Sequence, residues 1–324
     1  MSLDTGFDSA IEMARLAKAF VELPELTRGD VCDGAALWGR HAMPAQDDDR
    51  RLYWQRLVNL SQLAPVDRPA FEAASRGLTS FAFSSDVDLK IAITGFDPFH
   101  LDDHLAQGNP SGLIALQLHG RRLTVRDLVA EIQCIVVPVR YRDFDDHLIE
   151  NFFAPRLANL DMVITVSMGR DGFDLERFPG RRRSVTTPDN ENRKAGGTPE
   201  VPIVPDVPDG PEFVEFSLPV DVMCGVTGDF LVTDNRVITT LEDGEMTVGN
   251  IQQLENKTSV FGSGGGYLSN EISYRVLRLA QSMDLDLPVG HIHTPSMQGF
   301  DQALLKRVSS QTQALIFTAI KSLR

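Results

Sequence analysis

The chain has 324 residues, enough to bury a full core and to carry one large domain with an appendage. Its 31 Lys and Arg against 45 Asp and Glu leave a net charge of −14, which opposes attraction to phosphate backbones and anionic lipid and argues against a nucleic-acid partner. The three cysteines, Cys32, Cys134 and Cys224, are odd in number and widely spaced, so reduced thiols fit better than disulfides. No window approaches the roughly 20 apolar residues of a membrane-spanning helix, and the acidic start lacks the basic region of a secretory signal. A cytoplasmic protein without membrane contact is expected.

From Asp8 to Leu23, Met13, Leu16, Ala17, Phe20 and Val21 recur at three- and four-residue steps, which predicts an amphipathic helix. Further helices are expected over Asp49 to Leu63 and Pro69 to Arg76, so residues 1–85 read as a helical N-terminal extension. The apolar face of Leu52, Tyr53, Trp54 and Leu57 needs a cover, either the rest of the chain or another subunit. At Leu89 the pattern changes: strands at Leu89 to Thr94, Val129 to Val139 and Met162 to Val166 alternate with helices at Leu113 to Leu118 and Asp143 to Leu157. Such alternation predicts a three-layer α/β/α body over residues 86–324 with a mostly parallel central sheet.

Proline and glycine between Thr186 and Pro211 exclude helix or central strand, giving a long surface loop with an insertion near 191–208. Residues 225–257 read as an inserted hairpin, with Phe230 to Thr240 and Met246 to Val248 around Glu242-Asp243-Gly244. Arg181, Arg182 and Arg183 read as a solvated basic face. A helix over Tyr267 to Met283, a strand over Val289 to Thr294 and a closing helix over Gln298 to Leu323 complete the chain.

The phrase Ile91-Ala92-Ile93-Thr94-Gly95-Phe96-Asp97-Pro98-Phe99, followed by Asn109-Pro110-Ser111, resembles the first strand and substrate loop of pyroglutamyl peptidase type I. Further stretches resemble that family in the same order: Gly169-Arg170 through Glu176-Arg177, Pro188-Asp189-Asn190, Asp209-Gly210-Pro211 through Ser217-Leu218-Pro219-Val220, Gly265 through Ser269-Asn270, and Gly290-His291-Ile292-His293-Thr294-Pro295. Together they span about residues 88–324. The resemblance implies a cysteine peptidase without a cofactor that releases an N-terminal pyroglutamyl group by acyl transfer, and it implies a homo-oligomer. Its Glu, Cys and His fall on Glu176, Ser269 and His293, so serine stands where the family has its nucleophile.

The residues that hold the pyroglutamyl ring in the family carry over to Phe96, Phe99, Asn109, Tyr267 and Leu268. After Phe99 the chain departs from the family's small pair with His100-Leu101-Asp102-Asp103-His104. The expected substrate is a peptide or small acyl amide. Plainer readings stand beside these: an exposed Glu176 next to Arg177, Phe96 and Phe99 as core, and Ser269 as a helix cap. His291 and His293 share a strand face, but a third metal ligand is not evident, so no metal is expected. A serine needs a base as it attacks, whereas a thiol ionises near neutral pH; the chain is therefore either a serine-dependent hydrolase or a catalytically silent homologue that binds or regulates.

Overall fold

The computed structural model describes residues 10–207 and 209–323. Positions 1–9, which include the acidic start and the first two residues of the expected opening helix, lie outside the described residues, as do 208 and 324. The N-terminal part folds into helices α1 (Ala10–Glu22), α2 (Pro24–Thr27), α3 (Gly34–His41), α4 (Arg50–Gln62) and α5 (Arg68–Ser75). Asp33 begins α3 by accepting a bond from the Ala36 amide, 2.8 Å away, which satisfies one free donor of the first turn. α3 was not expected from the sequence, because Gly34 and Gly39 interrupt a short pattern.

The body follows as β1 (Leu89–Phe96), α6 (Pro110–Leu118), β2 (Arg121–Val125), β3 (Leu128–Val137), α7 (Tyr141–Asp145), α8 (Leu148–Phe153), β4 (Met162–Met168) and β5 (Phe173–Glu176). It continues with α9 (Val220–Cys224), β6 (Val232–Asn235), β7 (Val237–Thr240), β8 (Gly244–Thr247), β9 (Ser259–Phe261), α10 (Leu268–Ser282), β10 (Val289–Thr294) and α11 (Gln302–Lys321). Seven strands form the main sheet in the order β2-β3-β1-β4-β10-β5-β6. Strands β3, β1, β4 and β10 are mutually parallel, while β2 and β5 run antiparallel to their neighbours β3 and β10. The expected α/β fold with a mostly parallel sheet and helices on both faces is therefore present.

Strand alternation divides the side chains between two cores. Ile91, Ile93, Ile164, Val166, Leu175 and Ile292 face a cluster shared with α6, α11 and the N-terminal helices. Ala92, Phe96, Ile135, Val163 and Val289 face a cluster shared with α7, α8 and α10. Leu52, Tyr53, Trp54 and Leu57 lie inside the first cluster, so the body itself covers the apolar face of α4.

Three expectations are corrected. The helix expected over Asp143 to Leu157 is two short helices, because His147 adopts a left-handed conformation (φ 57°) that α-helix cannot contain. The strand expected over Phe230 to Thr240 breaks at Asn235-Arg236: β6 joins the main sheet beside β5, and β7 crosses to a small sheet with β8 and β9. Arg183 is buried rather than solvated, held by Glu271 at 2.6 and 2.9 Å and by Asp145 at 2.8 Å. Among the described residues, no helix is long and apolar enough to cross a membrane.

Candidate active site

Parallel strands place their C-terminal ends at one edge of the sheet, where α/β proteins gather reactive groups. Two-residue steps then decide which side chains share a face. On the face covered by α10 stand Phe96 of β1, Thr165 and Ser167 of β4, Asp174 and Glu176 of β5, and His291 and His293 of β10. The register sets His293 opposite Ser167 on one side and Asp174 on the other.

Glu176 is completely buried and its Oε1 lies 2.5 Å from Nδ1 of His293, itself 4% exposed. Burying a carboxylate is costly unless its lone pairs are used. Here Asn235 Nδ2 donates to the second oxygen at 2.9 Å and to the Ser263 carbonyl at 3.0 Å. Arg177 does not compete for Glu176, because Asp234 takes its guanidinium in two bonds of 2.9 and 3.0 Å. With Nδ1 held, Nε2 is the ring nitrogen left for proton exchange. Gly169 permits the close approach of β4 and β10, since a Cβ there would lie 2.6 Å from His293 Cβ.

Both nitrogens of His291 are also engaged, Nδ1 with Thr165 Oγ1 at 2.8 Å and Nε2 with Ser167 Oγ at 2.7 Å. Full burial pushes its pKa well below the ordinary histidine value, and the neighbouring His293 pushes the same way. The two rings meet edge to face, 4.8 Å apart. Burial raises the Asp174 carboxyl, and Glu176 adds to the rise.

A small cleft of about 30 Å³ is lined by Phe96, Phe99, Asn109, Val139, Ser167, Met168, Tyr267, Leu268 and Ser269. All five residues expected to hold an acyl ring, and Ser269 itself, thus meet in one pocket. Asn109 also caps α6, with Oδ1 accepting from Ser111 N and Oγ at 3.1 and 2.8 Å, while its Nδ2 donates to the Asp97 carbonyl at 2.9 Å. The Tyr267 hydroxyl donates to Pro188 O at 3.0 Å.

Ser269 occupies the first turn of α10, where the helix leaves amides without intrahelical partners and its dipole favours negative charge. The reading of Ser269 as the cap residue is corrected: Tyr267 takes that position, and the Ser269 hydroxyl donates to Gly264 O at 3.3 Å. A tight turn, with Gly262 and Gly265 exchanging bonds of 3.0 and 2.9 Å and Gly265 at φ 86°, presents that carbonyl. Among the described residues, no direct hydrogen bond joins Ser269 to His293. The sequence reading also missed Val139, Ser167 and Met168 in the cleft and Asn235 behind Glu176; strand alternation would have found Ser167, but nothing local signals Asn235.

These features define a three-layer α/β protein with a buried carboxylate–histidine pair near an apolar cleft. The chain belongs to the family described as PA0049, C-terminal domain, whose model matches residues 90–215 and 223–298. It is 27% identical, over a 391-residue alignment, to the uncharacterized protein PA0049 of Pseudomonas aeruginosa, covering 83% of this chain and 69% of that protein. Among solved structures it is similar to a mutant pyrrolidone carboxyl peptidase from the hyperthermophile Pyrococcus furiosus, with TM-score 0.48, 20% identity, and coverage of 73% of this chain and 100% of that one. A second structure of that peptidase, solved with its cysteine-free mutant, gives TM-score 0.49 at 20% identity with the same coverage.

Proposed function

We propose that this chain is a hydrolase of the pyroglutamyl-peptidase type that cleaves an amide bond next to a small cyclic acyl group, on a peptide or a small acyl amide, with Ser269 in the nucleophile's place. One observation carries the reading: the Glu176–His293 pair lies on the same sheet face as the cleft that gathers Phe96, Phe99, Asn109, Tyr267, Leu268 and Ser269. Catalysis needs a base that is held in one tautomer, and the Glu176 bond to Nδ1 supplies that.

In the step proposed, Ser269 exchanges its bond to Gly264 O for one to His293 Nε2 and gives up its proton as Oγ attacks the acyl carbonyl. The α10 amides receive the oxyanion. His293 then protonates the departing amine, and water releases the acyl group from Ser269 by the reverse transfer. Glu176 holds the imidazolium throughout.

A second reading, a silent binder that keeps the pocket, is favoured by the Ser269 bond to Gly264 O and the absence of one to His293 among the described residues. Hydrolysis of a fluorogenic pyroglutamyl amide by the parent, Ser269→Ala and Ser269→Cys chains separates the two. Turnover that the alanine form loses supports a serine nucleophile. Turnover only in the cysteine form supports a pocket intact but for its nucleophile, and none in any folded form defeats the hydrolase reading.

A further inference from the structure

The segment 77–88, which joins α5 to β1, packs Phe81 edge to face against Phe152 of α8 at 5.0 Å and Phe83 against Phe81 at 5.5 Å. Between this segment, the start of β1 and the residues after α8 lies a cavity of about 310 Å³, at the lower end of what small organic ligands occupy. Phe81 and Phe83 form its apolar wall, and Ser84, Ser85, Lys90 and Arg156 supply polar groups. Lys90 is the second residue of β1 and Phe96 the last, so the cavity lies roughly 20 Å along the strand from the cleft.

Arg156 is held in place by the protein itself. Its guanidinium lies over the Phe152 ring at 4.5 Å and near Phe81 at 6.0 Å, and Nη1 donates to Phe152 O at 2.6 Å. Lys90 stands on the same face, since β1 turns Ala92 and Phe96 toward this core. Neither cation has an ion-pair partner among the described residues. The acidic side chains around them are engaged elsewhere. Glu131, opposite Lys90 in the register, accepts from Gln133, the Ser84 amide and Arg122 at 2.7, 3.3 and 3.2 Å. Asp86 is held by Arg122 at 2.9 and 2.6 Å, and Asp88 accepts from the Val129 amide at 2.8 Å. Asp161 accepts from the Lys90 amide at 2.7 Å and lines a separate cleft. Burial pulls the Arg156 pKa down with no carboxylate opposing it, although a guanidinium stays charged at neutral pH.

We propose that this cavity binds a small aromatic phosphate monoester, with the phosphoryl group between Lys90 and Arg156 and the ring against Phe81 and Phe83. Two cations without partners call for a dianion. A phosphate monoester carries about −1.5 to −2 charges at neutral pH, whereas a monocarboxylate leaves one cation unbalanced. The fork of Arg156 matches two phosphoryl oxygens, Lys90 serves as a point charge for the third, and the Ser84 and Ser85 hydroxyls add donors. The site uses no residue of the Glu176–His293 cleft, so it stands whether or not the chain is a hydrolase.

Titration calorimetry of the full chain with phenyl phosphate tests this, with inorganic phosphate and benzoate as comparisons. Phenyl phosphate is expected to bind once per chain and at least about tenfold more tightly than either, because only it brings both the dianion and the ring. Lys90→Gln and Arg156→Gln are each expected to weaken it by about tenfold or more with the urea midpoint of the parent retained. Arg156→Lys keeps the charge and loses the fork, so its affinity should fall between those of the parent and Arg156→Gln. Should Arg156→Gln lower the urea midpoint, Lys90→Gln and Arg156→Lys carry the test. Undiminished affinity in these variants places the ligand elsewhere, the cleft included, and overturns the assignment. Absence of binding to the parent overturns it as well, as does equal affinity for inorganic phosphate, which would leave the aromatic wall without a role.

Discussion

Two buried polar clusters invite comparison, the Glu176–His293 site and the charge network where the N-terminal helices meet the body. In the network, Arg56 and Arg76 donate to the two oxygens of Asp97 at 2.9 and 2.7 Å, Arg76 and Arg140 reach Glu72 at 2.6 and 2.9 Å, and Arg140 reaches Asp143 at 2.6 Å. Three cations balance three anions, all of them buried. Burial alone would raise the Glu72 pKa, yet Arg140 and Arg76 outweigh it and hold the carboxyl far below its usual range. The site is built differently. Its carboxylate is fully bonded, but its histidine keeps one nitrogen uncommitted beside a cleft. A buried network whose charges balance internally is architecture, even though Glu72 Oε2 is left without a hydrogen bond; a pair that ends on an uncommitted histidine nitrogen beside a cleft can do chemistry.

The network still bears on the cleft, because it fixes the loop that carries Phe96, Phe99 and Asn109. Asp97 lies between the two phenylalanines, and Asp49 of the extension accepts from the Asn109 amide at 2.8 Å. Arg15 of α1 donates to Asn190 O at 2.8 Å, and Asn190 in turn donates to Pro98 O at 2.9 Å. The N-terminal helices are thus a brace for the 96–109 loop as well as a cover for the sheet.

The sharpest way to break the comparison is Glu176→Gln. An amide directs N–H toward His293 Nδ1 or leaves it unpaired, so the ring adopts the wrong tautomer. If the chain hydrolyses pyroglutamyl amides, kcat is expected to fall by about 10³- to 10⁴-fold with the fold retained. Nitrogen NMR of His293 provides a readout that does not depend on activity: Nδ1 should lose its proton in the variant, and a ring that keeps it would show that Glu176 does not set the tautomer. Next in size is Arg56→Met, which leaves Asp97 with only Arg76. Loss of one partner from a buried ion network costs about 3–5 kcal/mol, read as a lowered midpoint in urea. A loss below about 1 kcal/mol would mean that water or Arg76 replaces Arg56, and the contrast between closed and open networks would fail.

Much of this arrangement is legible in the sequence, and what is not has a physical reason. The strands at Leu89, Met162 and Val289 are short apolar runs bounded by breakers, and their alternation already puts Thr165 with Ser167 and His291 with His293. Glu176 sits three residues after a strand begins at Phe173, but that strand is antiparallel and only four residues long, too short for a periodic signal. Asn235 supports Glu176 from 59 positions away, and only the pairing of β5 with β6 brings it there. The burial of Arg183 follows from Glu271 on α10, again a contact between distant segments. His147 breaks a helical pattern that is continuous in the sequence, because a left-handed histidine leaves no compositional mark.

Glu12 marks the edge of the closed network and offers a test by pH. Burial raises its pKa from 4.5 to about 7, more than the nearby Arg140 lowers it, with Glu72 and Glu191 adding to the rise. The folded chain therefore keeps a proton that the unfolded chain has released between pH 4.5 and about 7. Stability falls as pH rises through that window and levels off above it, with a span of about 3 kcal/mol. Glu12→Gln is expected to remove that slope, matching the parent below pH 4.5 and exceeding it at pH 8 in denaturant titrations. Parallel curves for the two chains would show that Glu12 keeps its charge on folding.

The smallest effect concerns the rim of the cleft. Tyr267 precedes α10 and its hydroxyl bond to Pro188 O ties the start of that helix to the 188–190 segment, with the ring edge-on to Tyr141 at 5.5 Å. Tyr267→Phe keeps the ring and its packing and deletes one neutral hydrogen bond, leaving a carbonyl that solvent can reach. The cost should be at most about 1 kcal/mol, a drop in Tm of roughly 2 °C. If the loss is several times larger, the 188–190 segment depends on this one bond, and Tyr267 belongs with the bracing network rather than with the cleft it lines.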